Sequence, residues 1–337
     1  MEDIRLYDFQ FTLLCILNDC TSANWSLKYN GVGTFEGHFP LSSRATSVAL
    51  STPYLVAVQG GKQAIITSKD ASSELVLYGR TPNWILTKRV MPDFDQLTGD
   101  VGTLAHGFVT EWFADLIEDG TFVANVPPEG MFTTQVKFWR NTYHPVGEVV
   151  ADVLERDNGG HRVTFDTVQK KWIYEATKGG SLPIVLSEDN LTAYDTTYSE
   201  DLLNYSTAGV YQVPQEPEEE GGETPDPVWE TVVSDPSKTG IYRWECVLSA
   251  QSESEAKSEL LKKQREVEAA MTAANLRYGV DYQLGDQVLL TLTKGGFSFR
   301  EQKRITGVDI WYEANNVGEK PTFLQEPVSS EDEDEVQ

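Results

Sequence analysis

From Ile4 to Tyr78 apolar side chains recur at every second position in short runs, a period that only extended strands satisfy. Ile4, Leu6 and Tyr7 open the first run, Leu13–Leu17 form the second, and Trp25, Leu27 and Tyr29 alternate in the third. After the turn Gly31-Val32-Gly33-Thr34, further runs cover residues 35–41, 54–58, 64–67 and 74–78. Gly, Ser, Asn and Asp separate them at intervals of about ten residues, the pattern of a small barrel or sandwich. The glycine-rich stretch 31–37 leads from one strand into another. With no helix N-terminus behind it to hold an anion, it reads as a hairpin turn. Thr81-Pro82-Asn83-Trp84 reads as a helix entry, with Thr81 capping and Pro82 in the first turn.

The period then lengthens. Leu104, Phe108, Trp112 and Leu116 lie four apart and predict a helix over 101–117 with one buried face. A second helix is expected over 145–156, carrying Val146, Val149, Val150, Val153 and Leu154 inward and stopping at Asn158-Gly159-Gly160. Strands at 162–165 and 172–174 follow, so this region is α+β. Strands resume from Ile184, and 229–233 and 241–248 read the same way. Between them, residues 215–227 are almost entirely Glu, Gly and Pro and predict a solvated linker.

Residues 252–277 predict one long helix of about 39 Å. Ser252 and Glu255 form a capping box, and Ala256, Leu260, Gln264, Val267, Met271 and Ala274 make its inner stripe. Glu253 with Lys257 and Glu259 with Lys263 add i,i+4 pairs. In the closing stretch 278–327, Val288, Leu290 and Leu292 share one strand face after a Leu284-Gly285-Asp286 turn.

Chemistry is sparse by comparison. Cys15, Cys20 and Cys246 are odd in number and lack ligand spacing, which argues against a disulfide framework or a zinc site. His38, His106, His144 and His161 form no HExxH or HxH pattern and read as surface or capping residues. There is no GxSxG elbow and no Walker loop. Glu188 and Asp189 sit in ordinary turn chemistry, and Asp157 to His161 lacks calcium-loop spacing. No catalytic residue, cofactor or metal is expected, and the chain reads as a non-enzyme.

At 337 residues, 40% hydrophobic and 11% aromatic, the chain is long enough for two to four folded units. No run reaches the roughly 18 to 20 apolar residues of a membrane helix. The acidic start lacks the basic and apolar regions of a signal peptide, so folding in the cytoplasm of the producing cell is expected. Net charge is −25; eleven acids sit in the 215–227 linker and at 331–335, leaving about −14 on the body. That balance excludes a surface that grips phosphate backbones.

Four stretches, taken in order, carry a resemblance. They are WSLKYNGVGTFEGHFPLS at 25, ELVLYGRTPNWILTKRVM at 74, IVLSEDNLTAYDTTYSEDLLN at 184, and YGVDYQLGDQV with RITGVDIWYE near the end. This order resembles the siphovirus tail-hub proteins of the ReqiPepy type, in which a strand, a glycine turn, a Gly-Arg pair before a short helix and a closing Leu-Gly-Asp hairpin recur. Gly79, Arg80, Trp84, Leu284, Gly285 and Asp286 occupy the motif positions, with the basic Arg89 following the short helix. The insertion EPEEEGGETPDP and the tail EDEDEVQ depart from the pattern, and no appended fibre or peptidoglycan-cleaving domain is expected.

The resemblance implies a β-rich α+β fold with tandem tail-tube-like β-barrels, an inserted α+β domain and one long docked helix. The first barrel would take residues 1–92 and 183–212, the inserted domain 93–182, and the linker 213–227. A second barrel would take 228–327 with helix 252–277, ahead of an acidic tail at 328–337. It further implies a homotrimer at the phage tail tip. Its partners would be a distal tail protein ring, the tape measure protein and receptor-binding fibres, and DNA would pass through without specific binding. A cell-wall carbohydrate-binding or glycan-hydrolysing β protein is the alternative from another class.

Overall fold

A computed structural model describes residues 3–41, 44–92, 94–140, 142–215, 227–263, 266–273, 275–313 and 316–323. Its backbone is a nine-stranded sheet that joins the two ends of the chain. In spatial order the strands are Leu13–Leu17, Ile4–Tyr7, Val56–Gln59, Lys62–Ala71, Leu75–Arg80, Thr34–Phe39, Ser22–Lys28, Gly307–Glu313 and Asn316–Thr322. The expected alternation of the first seven is realised as strand pairing. Ser22–Lys28 pairs antiparallel with Gly307–Glu313, Trp25 opposite Ile310 and Leu27 opposite Val308. The hairpin 307–322, assigned by sequence to a second unit, thus extends the sheet built by the first. Among the described residues the sheet is open, with edges at Leu13–Leu17 and Asn316–Thr322.

Strand residues alternate between the two faces, and each face buries its own core. On one side Ile4, Leu6, Trp25, Leu27, Phe35, Ala57, Leu75 and Leu77 pack with Leu186, Val288, Leu290, Leu292, Phe299 and Ile305. Those partners come from a smaller layer in which Ser181–Leu186 runs parallel to Gln287–Lys294, itself antiparallel to Phe297–Arg304. The Trp25 indole nitrogen donates to Gln59 Oε1 at 2.7 Å inside this core, where both side chains are essentially inaccessible. An antiparallel ribbon of Ala193–Asp201 and Glu266–Ala273 completes this half of the molecule.

The opposite face presents Tyr7, Phe11, Val56 and Ile65 to the α+β segment between residues 94 and 177. Asp100 caps the first helix there, Val101–Trp112, by accepting from the Thr103 amide at 2.9 Å. The helix expected over 101–117 breaks at Phe113, which is itself buried, and restarts as Ala114–Glu118. Of the predicted stripe only Phe108 is fully buried; Val101, Ala105 and Val109 supply the rest of that face. Helix Val146–Glu155 buries the five predicted residues, and Asn158 ends the turn after it at φ +53. Strands Phe122–Ala124, Lys171–Thr177 and Gly160–Asp166 form the accompanying sheet. Gln63 ties it to the large sheet, donating to the Phe165 carbonyl at 2.9 Å and accepting from the Phe165 amide at 2.8 Å.

A third, small core gathers Tyr211, Val232, Leu248, Ala250, Ala256 and Leu260 between a helix and a three-stranded sheet. Here the expected helix over 252–277 is corrected. The helix is Glu253–Lys262, and residues 266–273 are a strand paired with Ala193–Asp201. Glu, Ala and Met favour helix locally, but the long antiparallel partner satisfies the same backbone groups in a sheet. Ser252 does cap the helix, accepting from the Glu255 amide, and the Glu253–Lys257 pair forms at 2.6 Å. Glu259 instead accepts from the Ser249 amide at 2.9 Å. The strand expected over 241–248 shortens to Glu245–Val247 after a 3-10 turn at Gly240–Tyr242. The linker residues 216–226 and the tail 328–337 lie outside the described residues.

One helix went unanticipated. Arg44–Ser51 lies in a serine- and threonine-rich stretch with weak intrinsic preference, and Lys69 holds its C-terminal end by donating to the Ala49 and Thr52 carbonyls. No helix among the described residues is long and apolar enough to cross a membrane.

Trp25→Phe should leave Gln59 Oε1 buried without its donor, costing about 1–3 kcal/mol on top of lost packing. Urea unfolding reads the loss, and adding Gln59→Leu should return part of it.

Candidate functional site

A single short turn, residues 29–33 between the strands Ser22–Lys28 and Thr34–Phe39, is met by Thr81 and Asn83, next to the first group of motif residues, and by Gly285 of the second. Tyr29 starts it. Its amide donates to the Thr306 carbonyl at 2.8 Å, and its hydroxyl lies 3.1 Å from the Thr177 carbonyl and 3.3 Å from that of Asn158. Burial pushes the Tyr29 phenol up, against the opposing pull of the Arg304 guanidinium near its ring. Asn30 follows, its amide nitrogen donating to the Ala151 carbonyl at 2.8 Å. The Gly31 carbonyl accepts from Asn83 at 2.8 Å, and the Gly33 amide donates to the Thr81 hydroxyl at 2.8 Å.

Thr81 was expected to cap a helix with its side chain. The segment after it is a 3-10 helix, Pro82–Lys88, without a side-chain cap, because the Thr81 hydroxyl is engaged by Gly33. Asn83 is almost fully buried and satisfied on both ends: it also accepts from the Val163 amide at 2.7 Å and approaches the His161 carbonyl at 3.3 Å. Trp84 is half-buried, with the Lys88 ammonium 4.3 Å from the centre of its ring. Gly79 lies opposite Phe35 and Ile66, where an added side chain would meet the Ile65 carbonyl at 2.9 Å. Arg80, half-buried, ends its strand opposite Thr34 and Ile65.

At the other end of the turn, Leu284, Gly285 and Asp286 build a clamp. Gly285 adopts φ +91, and a side chain there would sit 2.3 Å from the Tyr29 ring. Its amide donates to the Ile305 carbonyl at 2.8 Å, and its carbonyl accepts from Arg304 at 2.5 Å. Asp286 is buried and bridges three segments. Its carboxylate accepts from the Gly180 amide at 2.9 Å and the Gln283 amide at 2.8 Å, and its carbonyl accepts from Ile305 at 2.8 Å. Gly179 packs directly on the Gly285 backbone, where a Cβ would come within 2.0 Å. Leu284 is half-buried against the first core. The clamp therefore welds the end of the α+β segment to the closing part of the chain.

His161 is corrected from a surface residue to a buried one, 3% exposed. Burial holds its pKa down to about 4, so the ring is neutral at pH 7. Because Asn30 spends its amide nitrogen on Ala151, its oxygen must accept, and His161 Nδ1 donates to it at 2.9 Å. Asp157 lies near the same junction. Burial alone would raise its carboxyl, but the Lys178 ammonium at 2.7 Å and the Thr133 and Thr134 amides outweigh that and hold it below the usual carboxylate range.

These contacts tie the segments together. Among the described residues no three His, Cys, Asp or Glu side chains are placed to hold a metal ion. A shallow groove of about 500 Å³ runs beside the clamp, lined by Glu129, Met131, Lys178, Gly179, Gln287 and Arg304. Sequence reading found the Leu284-Gly285-Asp286 end of the junction but missed Tyr29, Asn30, Asn83 and His161. Their side-chain hydrogen-bond partners lie 52 to 148 positions away, so no local spacing marks them.

Gly285→Ala should lower stability by roughly 1–3 kcal/mol through its positive φ and the clash with Tyr29, seen as a lower urea midpoint. His161 generates a pH prediction. Its folded pKa lies below the ordinary 6.5, so its contribution is full above about 6.5 and is lost as pH falls through about 4. Melting temperature from pH 7 to pH 4 should therefore fall less steeply in His161→Gln than in the unaltered protein.

No family model matches the chain, and no curated protein matches it in sequence. In solved structures the fold is similar to that of a tail protein from Neisseria meningitidis MC58, with a TM-score of 0.61 at 12% identity over 96% of both chains. The 43 kDa tail protein of prophage MuSo2 from Shewanella oneidensis gives 0.59 at 12%, over 96% of this chain and 98% of that one. Prophage tail protein gp18 from Listeria monocytogenes EGD-e gives 0.58 at 13%, over 97% and 96%. The chain thus shares the fold of phage tail proteins across nearly its whole length.

Proposed function

We propose that this protein is a structural component of a phage tail, acting as the hub at the tail tip. The observation that carries the reading is the end-to-end likeness to three tail proteins, over at least 96% of every chain compared. A partial match would leave room for a grafted module; this one spans all three cores. The junction at residues 29–33 supports it, since polar ties that lock segments together suit a load-bearing part.

In this reading the chain is not an enzyme. Three copies surround the tube axis, and the β-layers act as tube-like barrels, with the α+β segment inserted within the first. The hub closes the tail tube, contacts a distal tail protein ring and the tape measure protein, supports host-recognition fibres, and opens for DNA on infection. An acidic body serves that passage, because a negative wall repels phosphate and lets the duplex slide.

Gold-labelled antibody against the chain should decorate purified virions at one end of the tail. Particles without the protein would overturn the reading. In a low-salt gel shift the purified chain should leave duplex DNA unretarded; tight binding would contradict the acidic passage.

A further inference from the structure

By register the large sheet carries Ile65, Arg80, Thr34, Glu36 and His38 on one face. The α+β segment covers that face at Ile65 but not at its far end, where Asn24, Asp70 and Tyr78 are exposed. There the His38 ring lies between two carboxylates. Its Nε2 stands 2.7 Å from Glu36 Oε1, and its Nδ1 stands 3.1 Å from Glu74 Oε1. Glu36 belongs to the same strand, Thr34–Phe39, whereas Glu74 sits in the tip, residues 72–74, that joins Lys62–Ala71 to Leu75–Arg80.

An ionised carboxylate can only accept, so each contact needs an N–H on the ring. Neutral imidazole has one; only the imidazolium makes both contacts at once. Loss of the proton turns a ring lone pair toward a carboxylate and leaves Glu36 and Glu74 competing for a single donor. Burial of the ring opposes its charge, but the hydrogen bonds to Glu36 and Glu74 outweigh it and hold the pKa above the ordinary 6.5.

The surroundings favour the cation. On one side Ser22 lies opposite His38 and Asn24 opposite Glu36, with Glu313 opposite Ser22 in the next strand. On the other side Val76 lies opposite His38 and Tyr78 opposite Glu36, with Asp70 and Ser68 in the strand beyond. The loop entering Ser22–Lys28 brings Asp19 and Cys20, and Thr21 fixes it by donating its amide and hydroxyl to the His38 carbonyl at 2.9 and 3.2 Å. Arg80, on the same face, lies opposite Thr34, four residues from His38 and roughly 13 Å away along the backbone.

We propose that His38 is a pH-sensitive latch, which in its protonated form pins the hairpin tip 72–74 to the strand Thr34–Phe39 and on losing the proton lets the tip go. The latch acts on local opening, because Ser72 and Ser73 are exposed and the tip is closed by the Ser72 amide donating to the Glu74 carbonyl at 3.2 Å. A group whose pKa is raised on folding contributes fully below its ordinary value, here 6.5, and loses that contribution as pH rises through the higher folded value. The sign is opposite to that of His161, which is held neutral by burial. The tip is therefore tight in mildly acid solution and loose in alkaline solution.

Nuclear magnetic resonance of the full chain with carbon-13-labelled histidine tests the charge, and hydrogen exchange tests the release. The signal missing from His38→Gln should titrate with a midpoint above 6.5, and Glu74→Gln should move that midpoint down. In the unaltered chain, amide protection over residues 72–76, corrected for intrinsic exchange, should fall several-fold between about pH 6 and about pH 8.5, and in His38→Gln it should stay level. The exchange measurement on the unaltered chain needs no variant. A midpoint at or below 6.5 overturns the latch, and so does a tip whose protection ignores pH.

Discussion

Burying polar groups demands that each find a partner, and at residues 29–33 that demand organises the molecule. A two-strand hairpin needs only a turn. This one is asked to meet the Ala151 carbonyl within helix Val146–Glu155, the Asn83 amide of a 3-10 segment, the Thr81 hydroxyl and the His161 ring at once. Each bond is worth only about 1 kcal/mol net, but leaving one of these groups buried and unpaired costs more than making it gains. The segments are therefore held in one mutual arrangement, because any slip strands several groups together.

Around that junction the division of labour is physical. Apolar burial on the two faces of the large sheet supplies the bulk of the attraction and is indifferent to small displacements. Polar ties supply the positions. Gln63 mimics a strand neighbour for Phe165, and Asp286 gathers Gly180, Gln283 and Ile305 around one residue. Arg156 reaches from the α+β segment to Glu255 of the third core at 3.7 Å while lying over the Phe138 ring. All three cores are cross-braced in this way.

The local layer of this design was legible in sequence. Period-two runs located the strands from Ile4 to Arg80, and the i, i+3, i+4 spacing of Val146, Val149, Val150, Val153 and Leu154 located Val146–Glu155 with its inner residues. What failed to show was whatever depends on distant partners. EVEAAMTA at 266–273 is locally a good helix and becomes a strand only because Ala193–Asp201 lies alongside. The parallel pairing of Ser181–Leu186 with Gln287–Lys294 spans about a hundred residues and leaves no trace in either segment. At the junction, Gly285 announced itself because positive φ has a composition signature. Asn83 and His161 did not, because a buried polar residue looks like a surface one until its partners are known.

The pairing of Ser22–Lys28 with Gly307–Glu313 has a temporal meaning as well as a spatial one. During synthesis the strand bearing Trp25 and Leu27 emerges early, yet its neighbour is nearly three hundred residues behind it. At an elongation rate of about 5–20 residues per second the nascent chain spends on the order of tens of seconds with that edge unpaired. Contacts of such long sequence separation are also the slowest to form. The protein's most vulnerable interval therefore falls on the ribosome, and mutations in 307–322 should reveal themselves first as poor soluble yield.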